Sequence, residues 1–303
     1  MIRRRSIFIA AAALAVLAAA VWYFAPSYRG RSAAELIPYL PPADAPVMYV
    51  DVAALRVSGV LDMLAGSQLA EEPEYQAFVR DTGFDYRKDL NTVLLSFQEK
   101  GTFLVLSGRF DWKAINNYVS RQGGTCVNGL CRVSGSKPER RISFYKLKRD
   151  LMAMAVSSDE FAASLITHHE RVPQFETPSE PVWVSVPASA IRKEGLPAGT
   201  RTFASALEGA ERFSLALGSN GERFEILLRV TCRNAEEASA LRDQLEKATT
   251  VLRNFIAREN QKPNPNDLSG VLTAGVFSQE DRRVLGRWPM ERSFLQSVTG
   301  GQL

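Results

Sequence analysis

Hydrophobic residues dominate the start of the chain. An uncharged apolar run extends from Ile7 to Phe24, one residue after three arginines at positions 3–5. As a helix this run is roughly 27 Å long, close to the hydrocarbon thickness of a bilayer. By the positive-inside rule, the arginines hold the N-terminus in the cytoplasm. The pattern predicts a single membrane-spanning helix, with the bulk of the chain on the extracytoplasmic side.

A cleaved signal peptide is the alternative to a retained anchor. Ala18, Ala19 and Ala20 resemble a signal-peptidase site. However, the apolar run continues through Val21 to Phe24 and exceeds the length of about 7 to 15 residues that is usual for the hydrophobic region of a signal peptide. The aromatic residues at its end are typical of a membrane interface. We therefore interpret the run as a retained anchor in the inner (plasma) membrane.

After a proline-containing tether at residues 26–45, the pattern predicts strands and amphipathic helices up to residue 172. Asp111 is expected to cap a helix. Ser157 and Glu160 fit a capping box that opens a helix containing Phe161 and Ile166. The strands of this half are predicted at 47–52, 93–97, 103–110, 142–147 and 152–156, and the other helices at 53–64 and 74–80.

The pattern after residue 182 is similar. Residues 224–232 alternate between apolar and polar, as in a half-buried strand. A long amphipathic helix is expected to begin at Asn234, with an apolar face formed by Ala238, Leu241, Leu245, Ala248, Leu252 and Phe255. Further strands are predicted at 182–186, 213–217, 271–277 and 283–287, and a last helix from Pro289 to about Val298.

The order of elements occurs twice. Matching landmarks lie at positions 47 and 182, 101 and 221, and 111 and 234, which indicates a degenerate repeat. The predicted fold class is therefore α+β, with an N-terminal transmembrane helix followed by two degenerate tandem α+β units with antiparallel sheets. Residues 1–25 form the cytoplasmic tip and anchor, the units span 46–172 and 182–303, and residues 173–181 link them.

The cysteines are consistent with export. Cys126 and Cys131 flank Asn128-Gly129, which is a strong signal for a two-residue type I′ hairpin turn. In that register the two cysteines face each other with Cα atoms about 4.5 Å apart, which permits a disulfide. We expect this disulfide; two free thiols are the alternative, and a metal site would need a second ligand pair nearby. Cys232 lies on the apolar face of a strand and is expected to be buried.

Three stretches of the exported region suggest a resemblance to other proteins: Pro46 to Leu55, Thr82 to Leu90, and the strand-to-helix junction from Gly108 to Trp112. In this layout the chain resembles uncharacterised exported, membrane-anchored bacterial proteins that carry a domain of unknown function behind one N-terminal helix. The resemblance covers most of the exported region. It implies a fold type and a location, and no activity.

Charge gives no sign of a nucleic-acid partner. The chain has 37 basic and 33 acidic residues, a net charge of +4. Three of the basic residues precede the anchor, so the exported part carries 34 basic residues against 33 acidic ones. The excess of positive charge is therefore explained by membrane topology rather than by a basic binding surface.

The sequence contains no motif for a nucleophile elbow, a phosphate loop, a zinc protease or a calcium loop. We therefore assign no catalytic, cofactor-binding or metal-ligating residue. His168 and His169 are adjacent, so in a helix they would point in different directions and are better explained by a helix C-terminus than by a shared metal. Trp112, Trp183 and Trp288 could line a ligand groove, but their amphipathic surroundings favour the core.

Four aspartates are the remaining candidates for catalysis or cation binding. Asp51, Asp81, Asp85 and Asp89 could gather around a cation or supply an acid/base pair. Asp85 and Asp89, however, lie in a charged turn, where hydrogen bonds to the turn and solvation explain them.

Two functions are compatible with these features. The first is a non-enzymatic binding or scaffolding module of the envelope, held at the inner membrane by Ile7 to Phe24 and contacting an envelope protein of unknown identity. The alternative is an envelope hydrolase that uses dispersed carboxylates in a cleft between the two units. A concave cleft with buried carboxylates would favour the hydrolase, and a filled junction would favour the binding module.

Overall fold

The structure is a computed structural model that describes residues 30–65, 73–134, 140–170, 175–191, 207–220, 223–258, 262–264, 267–291 and 293–294. The predicted anchor, Ile7 to Phe24, lies outside these ranges, as does Gly221 of the predicted second hairpin turn. Within the described ranges, none of the helices combines the length and apolarity needed to span a bilayer.

Twelve strands of the described residues form one continuous antiparallel sheet. They are β1 Val47–Asp51, β2 Leu90–Gln98, β3 Gly101–Gly108, β4 Thr125–Val127, β5 Leu130–Ser134, β6 Arg141–Lys148, β7 Leu151–Ser157, β8 Val182–Pro187, β9 Ala210–Asn220, β10 Arg223–Cys232, β11 Val276–Glu280 and β12 Arg283–Met290. Across the sheet their order is β11-β12-β10-β9-β8-β1-β2-β3-β7-β6-β5-β4.

Helices occupy most of the longer connections between strands. The α-helices are α1 Ala33–Leu36, α2 Val52–Val57, α3 Val60–Ala65, α4 Pro73–Thr82, α5 Tyr86–Asp89, α6 Trp112–Arg121, α7 Ala235–Arg258 and α8 Leu268–Thr273. Gly59 has a φ of +72° and separates α2 from α3, which breaks the helix predicted at 53–64 into two. The mixture of helices with an antiparallel sheet confirms the α+β class.

The sheet buries apolar side chains on both faces. On the helix face, α7 packs Leu241 and Leu245 against β10 and β12, and α6 packs Ile115 against β5 and β6. On the opposite face, Leu36 and Ile166 cover β1, β3 and β7. We name the region of this opposite face formed by Arg212 on β9, Arg229 on β10 and Arg283 on β12 the arginine face.

Residues 30–45, which the sequence places in the tether, pack onto the sheet. Ser32 and Glu35 form a capping box at the start of α1. Leu36 and Tyr39 are buried, and the Tyr49 hydroxyl donates a hydrogen bond of 2.9 Å to the Arg31 carbonyl. This segment is therefore part of the hydrophobic core of the folded chain.

The predicted hairpin and disulfide are confirmed. Asn128 and Gly129 have φ angles of +51° and +82°, as a type I′ turn requires. Cys126 and Cys131 are opposite one another in the ladder and are joined by a disulfide, with Cα atoms 4.0 Å apart. Cys232 is free and buried, as expected.

The expected helix after Ser157 is wrong. Ser157 is the last residue of β7; its hydroxyl donates to the Lys100 carbonyl and accepts from the Asp159 N–H. Only a short 3₁₀ turn, Ala162–Leu165, follows. The Glu160 carboxylate binds Arg132, at 2.8 Å, instead of closing a capping box. The Glu160 carboxylate is therefore bound in a long-range ion pair and the Ser157 hydroxyl donates to a neighbouring strand connection, so the two do not form a capping box.

Helix α7 begins as predicted, but its buried face differs towards its C-terminus. The Asn234 side chain accepts a hydrogen bond of 2.8 Å from the Glu237 N–H, which caps the helix. Beyond Leu245, however, Ile256 is buried and Phe255 is 61% exposed. The predicted spacing repeats every seven residues, so it drifts around a straight helix of 3.6 residues per turn. By the last turns of the helix, Phe255 of the predicted face consequently points to solvent and Ile256 takes the buried position.

Two elements near the C-terminus begin later in the chain than predicted. Of the strand predicted at 271–277, residues 271–273 belong to helix α8, and the strand, β11, begins only at Val276. Asp267 caps α8 by accepting hydrogen bonds from the Ser269 and Gly270 N–H groups.

The last helix, predicted from Pro289 to about Val298, does not begin at Pro289, which lies within β12. Residues 293–294 are helical, and 295–298 lie outside the described residues. The neighbouring edge strand β11 begins at Val276, opposite Arg287, so Pro289 lies beyond the paired part of β11, where proline is tolerated.

Candidate functional site

A cavity of about 600 Å³ opens on the arginine face. Its floor is formed by polar positions of β8, β9, β10 and β12. Asp44, which precedes β1, and Phe175 and Glu176, which precede β8, also line it. The cavity therefore lies in the half of the sheet that follows residue 182, beside the central pair of strands.

Strand alternation explains why charged side chains collect in this cavity. On β10, Val230 points into the hydrophobic core of the helix face, so its neighbours Arg229 and Thr231 point to the opposite face. The ladder places Thr231 opposite Arg212 of β9 and opposite Arg283 of β12. Residues far apart in sequence thus form one row across three strands.

Arg212 is the most enclosed of these arginines. Its guanidinium donates to the Asp44 carboxylate at 2.6 Å and to the Ser185 hydroxyl at 3.2 Å. The guanidinium carbon also lies 4.6 Å from the centroid of the Phe175 ring, which is a cation–π contact. Burial lowers the pKa of Arg212, and the charge and hydrogen bond of Asp44 oppose that shift.

Arg229 is held by a two-pronged ion pair with Glu180. The two donor–acceptor distances are 3.1 and 2.5 Å, and the Glu180 side chain is only 11% exposed. Burial acts to raise the pKa of Glu180, but hydrogen bonds from Arg229 and from backbone N–H groups outweigh it and leave that pKa below its ordinary value. Glu180 is therefore an ionised carboxylate at neutral pH.

Two further ion pairs, both more exposed to solvent, lie at the outer part of the cavity. Arg283 pairs with Glu176 at 3.1 Å, and Arg282 pairs with Glu211 at 3.2 Å. The Glu176 side chain is 71% exposed, so water and salt weaken its attraction to Arg283. The ion pair of Glu180 is therefore enclosed, whereas that of Glu176 is exposed to solvent.

This arrangement is suited to binding anions. A guanidinium presents its N–H groups as a planar fork that matches a carboxylate or phosphate. Arg212, Arg229 and Arg283 direct such forks toward one cavity, and carboxylates of this chain already accept from all three. The chain's own carboxylates therefore stand where the anionic groups of a ligand would bind.

The structure does not bring the four candidate aspartates together with this site. Asp51 accepts a hydrogen bond of 2.8 Å from the Ala54 N–H and caps α2. Asp81 lies 3.6 Å from Arg121 of α6. Both are explained by local structure.

Asp85 and Asp89 stabilise the turn around α5. Asp85 accepts hydrogen bonds of 3.0 Å from both the Arg87 N–H and the Tyr75 hydroxyl, and its own N–H donates to the Asp89 carboxylate. Burial acts to raise the pKa of Asp85, but the hydrogen bonds from Arg87, Tyr75 and Lys88 outweigh it and lower that pKa. Turn chemistry, as the sequence indicated, accounts for these two residues.

The histidines and tryptophans also lie away from the cavity floor. The His168 ring contacts the Tyr39 ring edge-on, and the His169 N–H donates to the Pro38 carbonyl. Trp183 and Trp288 are buried. In the described part of the chain, no cluster of three or more histidine, cysteine, aspartate or glutamate residues is placed to hold a metal ion.

The arginines were missed by the sequence analysis, although a signal for them exists. Arg229 occupies an outward position of the alternating strand 224–232, and Arg283 and Arg287 are two pleats apart on one side of β12. Arginine at outward positions of several strands indicates a charged sheet face. Only strand order, however, shows that these strands are neighbours.

Comparison with known proteins supports the fold alone. No family model matches the chain, and no curated protein is similar to it. Three crystal forms of TP0453 are structurally similar, each at 12% sequence identity. For form I the TM-score is 0.49, and the match covers 90% of this chain and 99% of TP0453. For form III the TM-score is 0.50, and the match covers 88% of this chain and 97% of TP0453. For form IV the TM-score is 0.44, and the match covers 87% of this chain and 95% of TP0453. At 12% identity the form III match concerns the fold and not the function.

Proposed function

We propose that this chain is a non-enzymatic binding or scaffolding module of the bacterial envelope, and that it binds anionic ligands on the arginine face. The observation that carries this proposal is the cluster of Arg212, Arg229 and Arg283, which lie on three neighbouring strands and line one cavity of about 600 Å³. Two of the carboxylates that now occupy these arginines, Asp44 and Glu176, are mostly exposed. A ligand can therefore replace them at little cost.

The alternative, a carboxylate hydrolase, has less support. Such enzymes need one carboxylic acid whose pKa is raised so that it can donate a proton. The most enclosed carboxylate beside the cavity, Glu180, has a lowered pKa because Arg229 binds it. The junction between the halves of the sheet is filled by Tyr49 and Trp183, whose rings stack 5.7 Å apart.

The proposed location is the outer face of the inner membrane. The apolar run Ile7 to Phe24 after three arginines supports an anchor with its N-terminus in the cytoplasm. The Cys126–Cys131 disulfide agrees with an oxidising compartment. The same features are the basis for grouping the chain with exported, membrane-anchored bacterial proteins.

We further propose that the sheet consists of two copies of one α+β unit. In the first, β1, β2 and β3 precede helix α6, and β7 returns to pair with β3; in the second, β8, β9 and β10 precede α7, and β12 returns to pair with β10. Both helices lie on the same face, as a two-fold axis between β1 and β8 would require. Superposing the two sets of strands should also superpose α6 on α7, and a misfit of these helices would exclude the repeat.

Anion binding can be tested with fluorescent poly-L-glutamate and the full-length chain in detergent. Binding should weaken as salt is raised, because the contacts are ionic. The double variant Arg282→Gln/Arg283→Gln should bind at least about fivefold more weakly. A matched control, Arg109→Gln/Arg121→Gln, removes the same charge far from the cavity and should bind like the parent chain. Equal losses in both double variants would contradict the proposal.

Topology can be tested by fusing reporters after Leu303. A reporter that works only in the periplasm should be active, and one that works only in the cytoplasm should be inactive. The protein should also stay in the membrane during carbonate washing. Release of a shortened chain beginning near Val21 would show that the apolar run is a cleaved signal.

A further inference from the structure

The segment from Phe175 to Glu180 crosses the arginine face without forming helix or strand. It contacts all three arginines of that face. The Phe175 ring packs against the Arg212 guanidinium at 4.6 Å, Glu176 pairs with Arg283 at 3.1 Å, and Glu180 holds Arg229 with two hydrogen bonds. This short acidic segment is thus seated on the sheet mainly through its side chains.

The two ends of the segment are held very differently. Glu180 is enclosed and directly precedes Pro181, whose carbonyl accepts a hydrogen bond from the Asp51 N–H. Glu176 is mostly exposed, and Phe175 is half-buried. Pro178 restricts the backbone between them and favours an extended shape at Thr177. The Glu180 end is therefore the more firmly held of the two. At the other end the Phe175 ring also lies edge-on to Trp183, with centroids 6.2 Å apart, and Glu176 faces solvent.

We infer that the arginine face is a receptor site for an acidic peptide segment in which an aromatic residue precedes a glutamate, and that Phe175 and Glu176 occupy this site in cis. This inference rests on the proposed anion-binding function and adds the class of partner. A partner segment stacks its aromatic ring on Arg212 and places its carboxylate on Arg283. The pair between Arg229 and Glu180 stays intact and supports the floor of the site.

The chemistry of the site favours a peptide over a lipid headgroup or a free phosphate. A phosphate group would satisfy Arg283, but it offers nothing to the apolar side of the Arg212 guanidinium, which now contacts a ring. A cavity of about 600 Å³ adjoins the segment, and this volume is within the range of typical ligand sites. A peptide in which an aromatic residue directly precedes a glutamate can stack its ring on Arg212 and pair its carboxylate with Arg283.

The test uses the full-length chain in detergent and a fluorescent copy of residues 175–180, the hexapeptide Phe-Glu-Thr-Pro-Ser-Glu. The chain's own segment competes with this peptide. The variant Glu176→Gln should therefore bind it about two- to fivefold more tightly than the parent chain. The double variant Phe175→Ala/Glu176→Gln should show a larger gain, up to about tenfold, because it also removes the ring contact. The single variant changes only an exposed side chain, so it tests the inference even if the double variant does not fold.

Two residues of one strand provide the matched comparison. In the Glu176→Gln background, Arg283→Gln should remove the gain in peptide affinity. Arg287→Gln should keep it, because Arg287 pairs with Glu225 and does not line the cavity. A control hexapeptide with both glutamates changed to glutamine should bind at least about fivefold more weakly.

Other outcomes would overturn the inference. Equal effects of Arg283→Gln and Arg287→Gln would show that the peptide is attracted only by net charge. Binding of phosphatidylglycerol vesicles that depends on Arg283, without binding of the hexapeptide, would identify a lipid site instead. If poly-L-glutamate binds in an Arg282- and Arg283-dependent way but the hexapeptide does not, the anion site stands and the peptide assignment fails. If neither probe binds, the proposed function fails as well.

Discussion

The rings of Tyr49 and Trp183 stack, with centroids 5.7 Å apart and planes inclined by 24°, where β1 and β8 pair at the centre of the sheet. Trp183 is 1% exposed, and Tyr49 is also buried. The Trp183 indole N–H finds no hydrogen-bond acceptor among the described residues. Its stabilising effect therefore comes from packing, and this contact joins the two halves of the sheet.

Changing Trp183 should separate packing from hydrogen bonding. Trp183→Ala should lower the free energy of unfolding by about 3–5 kcal/mol, because it leaves a large cavity. Trp183→Phe should cost less than about 1.5 kcal/mol, because it keeps a ring and removes a buried, unpaired N–H. Chemical denaturation followed by far-UV circular dichroism measures both. A loss for the phenylalanine variant as large as that for alanine would show that the indole N–H has a partner.

The ionisation of Glu180 should make the free energy of unfolding depend on pH. The pKa of Glu180 in the folded chain lies below its ordinary value. Its ionised carboxylate therefore contributes fully to the free energy of unfolding above the unfolded-state pKa of about 4.3. This contribution is lost as the pH falls through the folded-state pKa. Glu180→Gln should cost about 1–2 kcal/mol at neutral pH. Its unfolding free energy should also fall less steeply than that of the parent chain below about pH 4.3.

Glu176→Gln is the matched control for this experiment. Glu176 pairs with an arginine of the same face but is 71% exposed, so its replacement should change stability by less than about 0.5 kcal/mol. Urea denaturation between neutral pH and pH 3 compares the three proteins. Parallel pH profiles for the parent chain and Glu180→Gln would contradict the role of the pair with Arg229.

Adjacent residues near the end of α7 should respond in opposite ways. Ile256 is 8% exposed and Phe255 is 61% exposed. Ile256→Ala should therefore destabilise the chain by about 2–5 kcal/mol. Phe255→Ala should have an effect within about 0.5 kcal/mol. Thermal or urea denaturation of the two variants distinguishes this helix face from the one expected from the seven-residue spacing, which predicts the reverse order.

Removing the disulfide should have a small effect. Cys126 and Cys131 close a loop with a sequence separation of 5, so in the chain-entropy model the stabilisation is about 2 kcal/mol or less. The variant with both cysteines changed to serine should stay folded and exported, with slightly lower thermal stability. A complete loss of folding would show that the hairpin register depends on the bond.

Peptide mapping under non-reducing conditions should find Cys126 linked to Cys131. Cys232 should resist alkylation until the chain unfolds, because burial both blocks access and raises the pKa of its thiol. A peptide linking Cys232 to either of the other cysteines would contradict both the hairpin and the position of β10.

Features that depend on neighbouring residues could be predicted from the sequence. The turn at Asn128-Gly129, the caps at Asp111 and Asn234 and the alternation of residues 224–232 all follow from backbone preferences and local hydrogen bonds. These determine where strands and helices begin, and they were sufficient for the α+β class and the disulfide. They fail where a distant partner takes the capping group, as Arg132 does at Glu160.

The tertiary structure alone decided which strands are neighbours. Nothing local indicates that β1 pairs with β8, or that Arg212, Arg229 and Arg283 line one cavity, because these arginines belong to three separate strands. Burial of a face of α7 likewise depends on the path of the helix over the sheet, which a regular spacing does not specify. The arginine face arises from strand order and register, and these are set by packing of the whole sheet.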